Sequence, residues 1–183
     1  MLVLASQSPR RREILERAGI PFVVRLASVD ESRLGAETPD AHVRRLAREK
    51  AESVPASAGE IVLAADTVVV VGDEILGKPS DPSDAVRMLR MLSGREHRVL
   101  TGICLRTSSR AIVDVASTRV RFVPVSESEI RQYVAGGEPM DKAGAYAVQG
   151  LASRYIDRIE GCYFNVVGLP VALVYRHLRG IES

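Results

Sequence analysis

Charged side chains interrupt apolar stretches of this 183-residue sequence in ways that could support chemistry. Residues 61–71 read Ile-Val-Leu-Ala-Ala-Asp-Thr-Val-Val-Val-Val, a run typical of a strand covered on both faces. A carboxylate at Asp66 is costly there unless a cation, a hydrogen-bond network or a water-lined cleft compensates it. We therefore interpret Asp66 as either a structural acid satisfied by backbone donors or a catalytic or metal-binding acid.

A second candidate site is the turn at residues 6–12, which reads Ser-Gln-Ser-Pro-Arg-Arg-Arg. Ser8 and Pro9 predict a helix start, with Ser8 as N-cap. Hydroxyls, backbone N–H groups and guanidinium groups at a helix N-terminus suit a phosphate. The alternative is that Ser8 only caps the helix and the arginines are solvated. The sequence has neither GxxxxGK[ST] nor GxGxxG after a strand, which disfavours P-loop and Rossmann nucleotide binding.

Three further charged residues could complete a site around Asp66. Lys50 falls on the inward stripe of a predicted helix and Lys78 lies in a Gly-Lys-Pro turn, so each ammonium could reach a shared cleft. Either lysine alone is more typical of a surface. Glu31 begins a polar connection, and with Asp66 it could hold a hard divalent cation, which takes oxygen ligands and substrate phosphates.

Other residues carry weaker signals. Small residues alternate with polar ones in residues 141–150, as expected where a backbone passes a flat ligand, although a tight structural turn would also explain them. The three histidines have no partner pattern and are interpreted as non-catalytic. Cys104 and Cys162 lack the spacing of a metal site, so both are predicted to be buried free thiols.

The bulk composition indicates a single globular domain over residues 1–183. The net charge of +2 is too small for bulk nucleic-acid binding, and only three Phe, five Tyr and no Trp predict an aliphatic core. The first residues are too short for a signal-peptide core, and no apolar run approaches the ~18 residues of a membrane span. We expect a cytoplasmic protein with no nucleic-acid or membrane partner.

The chemistry-bearing residues must be positioned by alternating strands and helices. The pattern predicts a mixed rather than all-parallel sheet in an α/β domain. Predicted strands cover residues 2–5, 22–26, 61–71, 75–76, 97–106, 112–123, 155–159 and 163–167, and predicted helices start near residues 8, 38, 81, 126 and 170.

Seven stretches together resemble the Maf family of nucleoside triphosphate pyrophosphatases, in the family's order and over essentially the whole chain. They are Ser6-Gln-Ser-Pro-Arg-Arg11, Arg45-Leu-Ala-Arg-Glu-Lys-Ala51, Ala65-Asp-Thr-Val-Val69, Gly77-Lys-Pro79, Ser93-Gly-Arg-Glu-His-Arg-Val-Leu-Thr-Gly102, Asp141-Lys-Ala-Gly-Ala-Tyr146 with Gln149-Gly150, and Asn165-Val-Val-Gly-Leu-Pro170.

The resemblance implies two lobes on a long bent mixed sheet flanked by helices, a fold shared with inosine-triphosphate pyrophosphatases, and commonly a homodimer. It also implies cleavage between the α- and β-phosphates of a nucleoside triphosphate with a divalent metal, Mg²⁺ or Mn²⁺, in a house-cleaning role. Asp66 then matches the catalytic base. Glu31, Lys50 and Lys78 match its acidic and basic companions in substrate binding, with Glu31 and Asp66 as metal ligands.

The resemblance extends to substrate choice. Ser8 and Arg11 match the family's phosphate-binding turn. Arg10, Thr67 and Gln149 are similar to the branch that prefers dTTP and UTP, while related members accept CTP or modified pyrimidines.

Two rival functions fit the same sequence. One is a purine-selective inosine or xanthosine triphosphate pyrophosphatase with the same phosphate chemistry. The other is a nucleotide-binding regulator of cell division without turnover, because the family is associated with arrest of septum formation.

Overall fold

The computed structural model describes residues 1–182. Its strands are β1 (Leu2–Leu4), β2 (Phe22–Val24), β3 (Ile61–Val71), β4 (Glu74–Leu76), β5 (Glu96–Arg106), β6 (Ala111–Phe122) and β7 (Ile156–Glu160). Its helices are α1 (Pro9–Arg17), α2 (Pro39–Glu52), α3 (Pro82–Leu92), α4 (Glu127–Ala135), α5 (Tyr163–Val167) and α6 (Val171–Glu182). Short 3-10 turns cover Glu138–Asp141, Ala143–Ala145 and Leu151–Tyr155.

Within residues 1–182, seven strands form one sheet in the order β2-β1-β3-β5-β6-β7, with β4 paired to β3. Strand β1 runs parallel to both β2 and β3, whereas the pairs β3–β4 and β6–β7 are antiparallel. The prediction of a mixed sheet is therefore confirmed. Burial of all but one residue of β3 also confirms the prediction that this strand is covered on both faces.

Two compact units are distinguishable along the chain. Unit 1 comprises residues 1–66, residues 101–116 and the segment that starts at Gly168. Unit 2 comprises residues 67–100 and 117–167.

In unit 1, helix α2 lies directly on the sheet. Its Ala47 and Ala51 pack with small side chains of β1 and β3 and with Cys104. At Gly102 of β5 a Cβ atom would lie 2.2 Å from the carbonyl oxygen of Val43, so only glycine lets the helix backbone come this close. This close packing determines where the α2 side chains point.

Unit 2 has an aromatic centre. Phe122 and Tyr146 meet edge to face with ring centroids 4.9 Å apart, and Tyr133 and Tyr155 do so at 6.0 Å. The core is predominantly aliphatic, as predicted, and the four buried Phe and Tyr residues of the described chain, Phe122, Tyr133, Tyr146 and Tyr155, all lie in unit 2.

Local capping signals identified several helix starts correctly. Thr38 accepts a hydrogen bond from Ala41 N–H at 3.2 Å, and Asp81 accepts one from Asp84 N–H at 2.8 Å. Ser126 and Glu129 form the predicted capping box of α4. Ser8 is the N-cap residue of α1, but its side chain makes no capping hydrogen bond.

The predicted strand at residues 163–167 is wrong, because these residues form helix α5. Asn165 is fully buried there and donates from Nδ2 to Val99 O at 2.9 Å and to Thr118 Oγ1 at 3.0 Å. These long-range contacts override the strand propensity of a short apolar run, which periodicity alone cannot distinguish from helix.

The two cysteines are free, as predicted. Cys104 is buried, and its burial raises the pKa of the thiol to about 11, whereas Cys162 is only half-buried. Among the described residues, none of the helices has both the length and the apolar character needed to cross a bilayer.

Candidate active site

Asp66 lies in the middle of β3 and pairs with a lysine. Its side chain is 9% exposed, and its Oδ1 accepts a hydrogen bond from Lys50 Nζ at 2.7 Å. Lys50 is near the C-terminal end of α2, and the packing of that helix at Gly102 brings the ammonium to the strand. The structural reading of Asp66 as an acid satisfied only by backbone donors is therefore not what is found.

Glu31 approaches the same ammonium from a different element. Its Oε1 lies 2.7 Å from Lys50 Nζ, although about half of the Glu31 side chain is exposed. One lysine thus lies between two carboxylates that are far apart in the sequence. The structure brings together the predicted residues Glu31, Lys50 and Asp66.

The loop that carries Glu31 is held on α2 by Arg45. The Arg45 guanidinium donates to Ser32 O at 3.0 Å and to both carboxylate oxygens of Glu37, at 2.8 and 3.0 Å. These bonds lower the pKa of the Glu37 carboxyl to about 2. Sequence reasoning missed this anchor, although Arg45 opens one of the Maf-like motifs, because nothing local pairs it with residues 32 and 37.

Arg11 of α1 points back into unit 1. Its Nε donates to Gly168 O at 2.9 Å and its Nη1 donates to Ala65 O at 2.8 Å, next to Asp66 in the chain. Burial lowers the pKa of the Arg11 guanidinium, while the negative charge of Asp66 opposes that shift. The alternative of a merely solvated arginine does not describe Arg11.

Two serines shape the turn before α1. Ser6 is 6% exposed, and its Oγ accepts hydrogen bonds from Ser8 N–H at 3.2 Å and Arg11 Nη1 at 3.3 Å. The first turn of α1 contains no acidic side chain, so nothing there opposes an anion. Sequence reasoning selected Ser8 and left out the contacts of Ser6, which only the folded turn reveals.

The remaining predicted residues occupy varied positions. Arg10 is half-buried at the second position of α1, and Thr67 is half-buried beside Asp66 in the sequence. Lys78 is exposed in the turn after β4, and Gln149 is exposed just before the last 3-10 turn. The roles assigned to these four residues stay predictions.

The small residues of the segment 141–150 have a packing explanation at Gly144. Its φ is +69°, and an added Cβ would lie 2.7 Å from Cγ2 of Val69. Its N–H donates to Gly77 O at 3.0 Å. Of the two readings, the tight structural turn accounts for this glycine.

The carboxylate oxygens of Glu31 and Asp66 are ligands of the type that a hard divalent cation takes. No group of three or more His, Cys, Asp or Glu residues in the described part of the chain is arranged to hold a metal. Glu31 and Asp66, however, contact one nitrogen, so their oxygens are separated by no more than twice 2.7 Å. Magnesium is commonly held by one or two carboxylates together with substrate phosphates.

A family model described as Maf-like protein matches residues 1–181 of the chain. The chain belongs to the Maf family. The family predicted from the seven motifs is thus confirmed over almost the entire sequence.

Curated relatives of this Maf protein share about half of its residues. A dTTP/UTP pyrophosphatase of Koribacter versatilis is 50% identical over 179 residues, covering 97% of this chain and 93% of the relative. A dTTP/UTP pyrophosphatase of Anaeromyxobacter dehalogenans is 54% identical over 182 residues, covering 97% of this chain and 92% of the relative. One of Symbiobacterium thermophilum is 53% identical over 171 residues, covering 93% and 88%.

A solved structure shares the fold of this Maf protein at low identity. The Staphylococcus aureus Ham1 protein superposes with a TM-score of 0.55 and is 13% identical in sequence. The superposition covers 98% of this chain and 98% of the Ham1 chain. This likeness concerns the fold alone, and it confirms the predicted fold class.

Proposed function

We propose that this chain is a nucleoside triphosphate pyrophosphatase that hydrolyses dTTP and UTP to the monophosphate and pyrophosphate. The observation that carries the proposal is the Lys50 ammonium bound by both Asp66 and Glu31. This arrangement places two acids beside a cation, in a chain whose relatives are named dTTP/UTP pyrophosphatases. A module that only binds a polyanion has no need of two acids.

Asp66 acts on the attacking water. The water oxygen bonds to the α-phosphorus, the bond from that phosphorus to the α–β bridging oxygen breaks, and pyrophosphate leaves. Asp66 accepts the proton that the water loses, and Lys50 keeps the carboxylate oriented through its 2.7 Å hydrogen bond. General-base catalysis of this kind contributes typically about 10²- to 10⁴-fold in rate.

Positive groups offset the charge of the triphosphate. Arg11, Ser8 and the first turn of α1 bind phosphate oxygens, and Lys78 adds an ammonium. Glu31 and Asp66 would hold a divalent cation, Mg²⁺ or Mn²⁺, which when bound supplies positive charge over the triphosphate. The low pH sensitivity of a guanidinium suits Arg11 to this task, because it stays charged even when its pKa is lowered by burial.

The base is selected by Arg10, Thr67 and Gln149. The Gln149 amide offers one donor and one acceptor, which match the O4 and N3–H edge of uracil and thymine. Cytosine presents the opposite pattern, so a fixed amide would discriminate against it. Modified pyrimidines that keep the O4 and N3–H edge are further substrates under this proposal.

Four further expectations stay predictions: the homodimer, the cytoplasmic location, the absence of nucleic-acid and membrane partners, and the link to septum formation. The resemblance is what supports the homodimer and the septum link.

A substrate panel tests the proposal. The protein is incubated with dTTP, UTP, CTP, GTP, ITP and XTP, with and without Mg²⁺ or Mn²⁺, and pyrophosphate release is measured. The expected result is metal-dependent turnover that is fastest on dTTP and UTP, and loss of turnover in Asp66→Asn.

Other outcomes would replace the proposal. Preference for ITP or XTP would indicate the purine-selective enzyme. Binding of dTTP without pyrophosphate release under any metal condition would indicate the non-enzymatic regulator.

A further inference from the structure

Gln149 lies on a turn whose two ends are held by side chains. The turn is closed by Gly150 N–H, which donates to Ala147 O at 3.1 Å. At one end Ala147 N–H donates to Tyr133 Oη at 3.2 Å, and at the other end Leu151 N–H donates to Glu138 Oε2 at 3.2 Å. The exposed Gln149 side chain projects from between these two fixed points.

Tyr133 and Glu138 are themselves joined. Tyr133 Oη donates to Glu138 Oε1 at 2.7 Å, so one linked pair contacts the N–H at each end of the turn. We call this pair the Tyr133–Glu138 clasp. Tyr133 is 1% exposed, and burial raises the pKa of its hydroxyl, so the hydroxyl stays protonated and can donate to the carboxylate.

Gly150 provides the space for the clasp. A Cβ atom at position 150 would lie 2.4 Å from Glu138 Oε1 and 2.6 Å from Oε2. The φ of Gly150 is −107°, which any residue can adopt, so backbone conformation does not require glycine here. The requirement is the close approach of the Glu138 carboxylate.

We propose that the Tyr133–Glu138 clasp determines base selectivity by fixing the turn that presents Gln149. This inference rests on the proposed function. A side-chain amide on a mobile turn could rotate to satisfy either thymine or cytosine, because the two bases present opposite donor and acceptor patterns. A turn held at both ends fixes the backbone from which the Gln149 side chain extends, so that its amide reaches the base from one position. Tyr133 and Glu138 are positioning residues that act through Gln149.

The first test is Tyr133→Phe, which removes the hydroxyl and keeps the ring packed against Tyr155. The ratio of kcat/KM for dTTP to kcat/KM for CTP should fall about five- to tenfold, the effect of about one lost hydrogen bond. Most of the loss should appear in KM for dTTP, with kcat nearly unchanged. The matched control is Tyr175→Phe, at an exposed tyrosine of α6, which should leave the ratio unaltered.

A double-mutant comparison separates positioning from simple packing. In a Gln149→Ala background, Tyr133→Phe should change the dTTP to CTP ratio less than about twofold, because the residue through which it acts is gone. If Tyr133→Phe folds poorly, Glu138→Gln, which keeps the shape of the side chain, is the second variant. It should show the same loss of selectivity. Equal losses on dTTP, UTP and CTP, additive losses in the double variant, or a wild type without pyrimidine selectivity would overturn the proposal.

Amide hydrogen exchange tests the clasp without any turnover. In Tyr133→Phe the amides of Ala147 and Leu151 should exchange at least about tenfold faster than in the wild type, because their acceptors are lost or released. Unchanged exchange would overturn the clasp even in an active enzyme. If the wild type fails to hydrolyse dTTP but Tyr133→Phe still shows the faster exchange, the clasp is supported and the proposed function is refuted.

Discussion

The Lys50 ammonium lies 2.7 Å from Asp66 Oδ1, and only 11% and 9% of these two side chains is exposed. Withdrawing such a pair from water has a cost that the mutual attraction often only just offsets. An apolar pair of similar volume would serve the fold of unit 1 at least as well. This cost is consistent with the catalytic role that we propose for Asp66.

Asp66→Asn should reduce kcat on dTTP at least about 10²-fold, because an amide neither accepts a proton from water nor binds a divalent cation well. The melting temperature should fall only slightly, since Asn can still accept from Lys50 and Glu31 remains beside it. The measurements are kcat and thermal melting of one preparation. Normal kcat with a lowered melting temperature would show that the acid serves the fold.

Lys50→Gln should destabilise the protein by about 3 kcal/mol, because it leaves Asp66 and Glu31 close together without their shared cation. Added Mg²⁺ or Mn²⁺ should raise the melting temperature of this variant more than that of the wild type, since the ion can replace the ammonium. Arg48→Gln, at an exposed position of α2, is the control. Equal metal effects on all three proteins would argue against a cation at these carboxylates.

Arg11→Ala should lower kcat/KM on dTTP, with a loss of transition-state stabilisation of about 2–4 kcal/mol, because a charge-assisted phosphate contact is removed. It should also lower the melting temperature, because Arg11 donates to Ala65 O and Gly168 O. Arg12→Ala, the exposed neighbour on the same helix, should change neither quantity. If Arg11→Ala lowers only the melting temperature, the arginine serves the fold and the phosphate role is lost.

Acid should weaken the anchor of the Glu31 loop. The pKa of Glu37 is lowered from 4.5 to about 2 by Arg45, so its stabilising effect is complete above about pH 4.5 and is lost as the pH falls towards 2. The melting temperature of the wild type should exceed that of Glu37→Gln near neutral pH, and the gap should close across this window. Glu49→Gln is the control, because Glu49 also pairs with Arg45 but does not hold the loop. A gap that stays constant from pH 7 to 3 would contradict the assignment.

Several strands, helix starts and buried faces of this protein could be predicted from the local sequence. The Val-rich run of β3 predicted a buried strand, and the apolar spacing of α2 predicted that Lys50 faces inward, as the 11% exposure of its side chain bears out. The capping residues Thr38, Asp81 and Ser126 located helix starts correctly. These signals succeed because strand alternation, helical period and capping involve residues only a few positions apart.

The tertiary structure alone decided the rest. The helix at residues 163–167 depends on Asn165 reaching Val99 O and Thr118, and the anchor of Glu31 depends on Arg45 reaching Ser32. The clasp likewise joins Tyr133 and Glu138 to the ends of a turn more than ten residues away. Such contacts follow from packing between distant segments, where one buried hydrogen bond can outweigh the weak local preference of a short run, and no local pattern encodes which partners will meet.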